Sequence, residues 1–398
     1  MNQRLSTLFC TPHRLGFFCG AAVLIASLAL WTFEMISRSG GLALAGTVPA
    51  MLWHGYVMIY GFFPLFMLGF IYTAGPRWLN VSSPTRRQYI PAIIGFSLGT
   101  IATLTGRWSI EFLQAGAALG FCSWVWAITI WWNAIKRSSA VDKIHAYFIG
   151  TAFALGALGM LFANIWLFSS NANWWLASIH LGIWGFLLPV FLTVSHRMIP
   201  FFSANVLKPY QAWRPNWLLY TWGGLLAVNL IFKLLQLNTL LISLFLTLLF
   251  LYTSWRWRLF DSFQIKLLAM LHMAFAWTGI SLILFTINDA LVFLGYTGLG
   301  FAPLHALTIG FFCTMLLAFV TRVTLGHSGR PLIAGGVAWI TYWTMHGATL
   351  ARVTGEIWPT QAIYWYTVAA IFALASLLSW SRVYLPMYWQ ARIDGQKG

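Results

Sequence analysis

The sequence predicts an all-α integral membrane protein, a single polytopic domain over residues 1–398 with about twelve transmembrane helices. Three observations carry that reading. First, 60% of the residues are hydrophobic and 8% are charged, with a mean hydropathy of +0.76. Soluble domains carry roughly 25% charged residues, so this chain lacks the polar surface to cover a water-exposed globule. Second, its apolar runs continue over about 20 residues, the length of a helix that crosses the hydrocarbon core. Backbone in lipid must pair its own polar groups, and the residue-by-residue alternation of a closed barrel is missing. Third, the basic residues segregate. The net charge is +16, which in a soluble chain would point to nucleic acid; here the placement of the charges points to a membrane and excludes a nucleic-acid partner.

The spans fall at 15–36, 50–74, 88–105, 110–133, 144–168, 174–198, 217–236, 238–256, 265–288, 299–324, 332–352 and 361–384. Sorted by the two sides these spans define, the tails and every second loop hold 19 Lys and Arg, from Arg4 and Arg14 to Arg392 and Lys397. The opposite side holds four: Arg38, Arg107, Lys233 and Arg352. The positive-inside rule then places both termini in the cytoplasm, and one span more or fewer would scramble the split. The bilayer is the first partner.

Taken in order, the first span anchors the chain and ends outward at Glu34. It follows Arg4 and Arg14 and is read as a retained helix, not a cleaved signal. The second runs from Trp53-His54 to Arg77-Trp78, with interfacial aromatics at both ends. Spans three and four carry Gly95, Gly99, Gly116 and Gly120, small residues that permit close helix contact. The fifth carries Gly150, Gly156 and Gly159 on the same logic. The sixth holds His180 and ends in Arg197-Met198-Ile199-Pro200-Phe201-Phe202. Spans seven and eight are leucine-rich and read as lipid-facing scaffold. The ninth holds His272, the tenth His305, the eleventh His346, and the twelfth only anchors. The four cysteines are scattered, and the three in apolar spans, Cys19, Cys122 and Cys313, read as packing residues.

An internal repeat links spans two, six and ten. His180 and His305 are each followed by the spacing H-x4-G-F and each precedes an arginine (Arg197, Arg322) by 17 residues. His54, Gly61-Phe62 and Arg77 form a looser copy. Seventeen residues of helix span about 25 Å, most of a bilayer core. His54, His180, His305 and His346 all lie four to seven residues inside the outer boundary, and His272 lies deeper. Ionisable groups at such depths are costly and usually functional. A neutral imidazole is the commonest metal ligand and a haem axial ligand, while a histidine bonded to a neighbouring carbonyl or hydroxyl is the plainer alternative. His13, His145, His196 and His327 fall at the cytoplasmic side and read as solvated or interfacial. All seven acids sit at span ends or in loops, which disfavours an ion-coupled transporter with a mid-membrane carboxylate. Arg107 and Arg352 are candidates to pair with haem propionates.

The residues His305-Ala306-Leu307-Thr308, Thr321-Arg322 and Leu325-Gly326-His327-Ser328-Gly329-Arg330-Pro331 closely resemble the signature of the NnrS family of bacterial membrane proteins. Trp53-His54 with Gly61-Phe62, Leu268 to His272, and Arg197 to Phe202 with Pro200 resemble its other motifs, in the expected order. In the second span Tyr56 and Val57 stand where the family often shows a second histidine and a glutamate, so no role of that pair carries over. The resemblance implies a multi-pass protein of the bacterial cytoplasmic (inner) membrane that contains haem and copper and belongs to the response to nitric oxide. A more distant likeness, to the catalytic subunit of haem-copper oxidases, implies twelve helices in three quartets, with His54 and His305 as haem axial ligands and His180 as a ligand of a second metal. The adjacent histidine pair of those oxidases is missing from span seven, which argues against oxygen reduction. The expected function is protection against nitric oxide or iron-nitrosyl damage by a haem, with copper, held by His54, His305, His180, His346 and His272. Whether a redox reaction turns over, and with which electron donor, is left open. The competing expectation is a cofactor-free transporter or assembly partner whose histidines serve packing.

Overall fold

The computed structural model describes residues 3–396, so Lys397, counted above on the basic side, lies outside the described residues. Among these residues every regular element is a helix. After a short leading helix (Gln3–Leu8) come α1 (Pro12–Ser39), α2 (Ala50–Leu79), α3 (Arg86–Thr105), α4 (Ile110–Arg137), α5 (Ile144–Ser169), α6 (Ala172–Val206), α7 (Asn216–Leu234), α8 (Leu240–Arg256), α9 (Lys266–Phe293), α10 (Ala302–His327), α11 (Gly336–Ile357) and α12 (Ala362–Tyr384). Among the described residues ten helices are long and apolar enough to cross a membrane. The two that fall short are α8, with 17 residues, and α11, which is diluted by threonines, His346 and Arg352. The expectation of about twelve crossings therefore stands on ten of sufficient length and apolarity.

Helix ends follow local chemistry. Ser109 caps α4 by accepting the Phe112 N–H at 3.4 Å, with Glu111 in the first turn where the helix dipole favours an anion. Thr85 and Gln88 form a capping box at α3. Several helices outrun the apolar stretch that announced them: α2 continues to Leu79, α4 to Arg137 and α6 to Val206. Lipid sets the apolar length, but nothing stops hydrogen-bonded propagation into the polar flank.

The chain divides into two compact units. The first comprises Met1–Leu30, Leu44–Val190 and Tyr384–Gly398, the second Trp31–Ala43 and Phe191–Val383. In the first, α3 lies directly against α4: a Cβ on Gly116 would sit 2.5 Å from the Thr103 nitrogen. Arg14 closes this unit on itself, its guanidinium donating to the carbonyls of Tyr388 at 3.0 Å and Gln390 at 2.7 Å. In the second unit Trp222, Trp257, Phe250 and Phe275 form an aromatic core between α7, α8 and α9.

Three helices depart from α geometry at matching places. Val57–Gly61 in α2, Leu181–Leu187 in α6 and Ala306–Cys313 in α10 are π-helical. Each begins within three residues of His54, His180 or His305 and contains the glycine of the repeated G-F pair. Pro64 and Pro189 explain two of them: a proline has no N–H to give to a carbonyl one turn back, so the ladder slips. The glycine carbonyls find other donors. The Thr100 hydroxyl donates to Gly61 O at 3.2 Å, and the Thr314 hydroxyl donates to Gly310 O.

Candidate functional site

In the first unit His54 and His180 are half-buried on α2 and α6. Between these two helices the Tyr60 hydroxyl donates to the Ser178 carbonyl at 2.6 Å. The π turns thus sit where α2 and α6 meet, each just past its histidine.

The second unit holds His196, His272, His305, His327 and His346, and hydrogen bonding sets the tautomer of all but His327. His305 Nδ1 lies 2.9 Å from the Phe301 carbonyl. A carbonyl only accepts, so the proton is on Nδ1 and the lone pair is on Nε2, the form in which a histidine binds a metal. His346 is the reverse. Trp277 Nε1 donates to His346 Nδ1 at 2.8 Å, and an indole N–H has no other role. The His346 proton is therefore on Nε2, which is buried without a hydrogen-bond partner among the described residues. Tyr342, Trp343 and Trp277 wall the imidazole. In this arrangement His346 presents a donor and no lone pair, which sets it apart from His305 among the candidate ligands. His272 Nε2 meets the Ser203 hydroxyl at 2.9 Å; since that hydroxyl gives its proton to the Ile199 carbonyl, His272 is the donor. His272 therefore also has a protein partner.

Trp277 joins the parts. Its ring packs on Gly310 so closely that a Cβ there would lie 2.7 Å from it, and its N–H reaches α11. A tryptophan on α9 thus touches the π turn of α10 and fixes the tautomer on α11.

The arginines expected to face propionates are otherwise engaged. Arg107 is buried and donates to the carbonyls of Val48 and Leu44, both at 3.0 Å, strapping the loop before α2. Arg352 pairs with Glu356 at 2.5 Å and lies over the Tyr366 ring. The other two cations of that side are also partnered, Arg38 with Glu34 at 2.7 Å and Lys233 with Asp289 at 3.7 Å.

The collar, Arg197, Pro200 and Arg322 lie within the second unit, whereas the motif residues Trp53, His54, Gly61 and Phe62 lie in the first. Arg322 lies 3.9 Å from the Phe202 ring centre, and Ser203, next to Phe202, holds His272. Arg197 is half-buried and Pro200 buried on α6. The glycine-bearing collar is a helix stop. Gly329 has φ +76°, Arg330 N–H bonds to Leu325 O at 3.0 Å and Gly329 N–H to Gly326 O at 3.4 Å. Pro331 follows, as in a Schellman ending. Gly326 is exposed, while His327 and Arg330 are half-buried.

One expectation, shared by three of the remaining histidines, changes. His13, His145 and His196, read as solvated or interfacial, are 2%, 3% and 0% exposed; His196 Nε2 donates to Pro215 O at 3.2 Å. Sequence reasoning also passed over Asp289, buried among the Thr239 hydroxyl at 2.6 Å, the Ser243 hydroxyl at 3.0 Å and Lys233. The signal was there: an outer-side lysine in a span read as scaffold and an outer-side acid at the end of the ninth span. Among the described residues no three of His, Cys, Asp or Glu come together to hold a metal ion. A haem iron needs only one or two axial protein ligands, a demand His305 fits; a protein-built copper site of three ligands has no counterpart here.

A family model described as NnrS protein matches residues 7–392 of the 398. No curated protein matches the chain.

Proposed function

The chain belongs to the NnrS family, and from that membership and the geometry of α10 we propose a cytoplasmic-membrane haem protein of the nitric oxide stress response, with His305 as an axial ligand. The observation that carries the proposal is the Nδ1–H bond to the Phe301 carbonyl, which leaves the ligating lone pair on Nε2 beside a π turn. π turns are frequent at functional sites. A bound haem iron would supply the binding site for nitric oxide, an apolar gas that enters lipid readily. His305 would hold the iron, and the apolar walls of the helices would exclude water. In the first unit His54 is proposed as a haem ligand and His180 as a ligand of a second metal. Twelve crossings with both termini cytoplasmic complete the proposal.

A second reading has one observation in its favour: His196, His272 and His346 each have a protein hydrogen-bond partner, as packing histidines do. It makes the chain a cofactor-free transporter or assembly partner. The optical spectrum and metal content of the purified full-length protein separate the two. A Soret band with bound iron, lost in His305→Ala and kept in His327→Ala, supports the haem reading. A colourless protein without iron or copper supports the other.

A further inference from the structure

We propose that Glu356 is the positioning residue for His305, acting through the backbone of Phe301. This deepens the reading of His305 as a haem ligand and rests on it. The turn before α10 carries Gly300 at φ +54°, a conformation that favours glycine, and the Glu356 carboxylate lies where a side chain at 300 would begin. Glu356 Oε2 accepts the Phe301 N–H at 3.1 Å. Its Oε1 accepts Arg352 Nη1 at 2.5 Å and the Tyr366 hydroxyl at 2.7 Å. Phe301 is thus held at its N–H by the carboxylate, and its carbonyl receives both the backbone N–H of His305 at 3.0 Å and the ring Nδ1–H.

Two further side chains from α9 pin the same turn. Asn288 accepts the Leu299 N–H at 2.8 Å, and Ser281 donates to the Pro303 carbonyl at 3.0 Å. The carbonyl that selects the His305 tautomer is therefore fixed from α9 and α11, and Glu356 is the charged member of that set. A carboxylate has room for all three donors because it only accepts. A glutamine in its place would turn an amide N–H toward one of them. The consequence reaches His305: if Phe301 shifts, the Nδ1–H bond weakens, the ring turns more freely and the Nε2–H tautomer becomes populated.

The test uses the full-length protein in detergent, labelled with ¹⁵N-histidine and assigned by difference against His305→Gln. In the haem-free wild type, His305 shows the Nδ1–H tautomer alone. Glu356→Gln shows a mixture, and haem titration gives an affinity lower by about 10- to 100-fold, the range typical when a partner behind a metal ligand is lost. Tyr366→Phe, which removes one donor and leaves the carboxylate, lowers the affinity by only about 2- to 5-fold on the same scale. It keeps the proposal testable should Glu356→Gln fail to fold. An unchanged tautomer together with unchanged haem affinity in Glu356→Gln overturns the proposal, as does an effect of Tyr366→Phe equal to that of His305→Ala. Retention of a wild-type haem spectrum in His305→Ala overturns the underlying reading instead, and the tautomer measurement still reports what Glu356 does.

Discussion

Trp277→Phe is the perturbation that isolates the hydrogen bond fixing His346. The substitution keeps an aromatic ring against Gly310 and removes the one N–H that reaches His346 Nδ1, 2.8 Å away. A buried acceptor left without its donor costs about 1–3 kcal/mol. The smaller ring adds a packing loss on the order of 1 kcal/mol, so the single variant is expected to lose about 2–4 kcal/mol in all. The two contributions separate in a double-mutant cycle with His346→Phe, because replacing both partners by apolar rings removes the orphaned acceptor while the packing loss stays. A coupling of about 1–2 kcal/mol is expected between the two sites. The assay is reversible unfolding of the full-length protein in mixed micelles, with the His346 ¹⁵N tautomer read in parallel. The wild type should show Nε2–H alone, and Trp277→Phe both tautomers. A coupling within about 0.5 kcal/mol, the scatter of independent sites, with an unchanged tautomer would refute the assignment of the proton and restore His346 as a candidate ligand.

Three further outcomes are expected. Asp289→Asn leaves Lys233 without its counter-charge and should destabilise by about 3 kcal/mol, the lower end for a broken buried pair because the lysine is partly exposed; unfolding midpoints of this variant and of Lys233→Met measure it, and the double variant should recover part of the loss. Gly329→Ala forces a side chain into φ +76° and should cost about 1–2 kcal/mol, whereas Gly326→Ala, on an exposed helical position, should not; equal midpoints for the two would contradict the helix-stop geometry. Arg107→Lys should lose one carbonyl contact, worth about 1 kcal/mol, and leave any haem spectrum unchanged, since the guanidinium is committed to Leu44 and Val48.

Much of the helical layout was legible because apolar run length and charge placement are properties of composition along the chain. The roles of single residues were less so. Arg107 and Arg352 stand at helix ends of the sparsely charged side, and a sequence cannot tell an arginine that faces a ligand from one that ties down a loop or meets a glutamate four residues on. The i,i+4 spacing of Arg352 and Glu356 was the available signal for the second case. His346 and His305 look alike in sequence, each a histidine near the same boundary. Their tautomers differ because one ring meets an indole N–H and the other a carbonyl, and both contacts depend on packing. The collar was conspicuous for its glycines and charges, yet its backbone bonds identify a way of ending α10.

The repeated histidine and G-F spacing takes on a different meaning once the π turns are seen. In a regular helix the phenylalanine that follows H-x4-G lies about 600° around from the histidine, at 100° per residue. A π turn accommodates one extra residue and so rotates everything beyond it by about 100° relative to that expectation. Residues on either side of the turn in α2, α6 and α10 therefore cannot be assigned to faces by the 3.6-residue period, which is the period sequence reasoning applies. What the repeat preserves is a slip at the same point relative to each histidine. In α2 and α6 a proline enforces the slip, and in α10 the Thr314 hydroxyl accompanies it. Two different chemistries arriving at one backbone irregularity, each time beside the histidine, argue that the irregularity itself is used. It lets the helix beyond the histidine be packed for stability while the histidine end is oriented by its own contacts, as Phe301 and Glu356 orient His305.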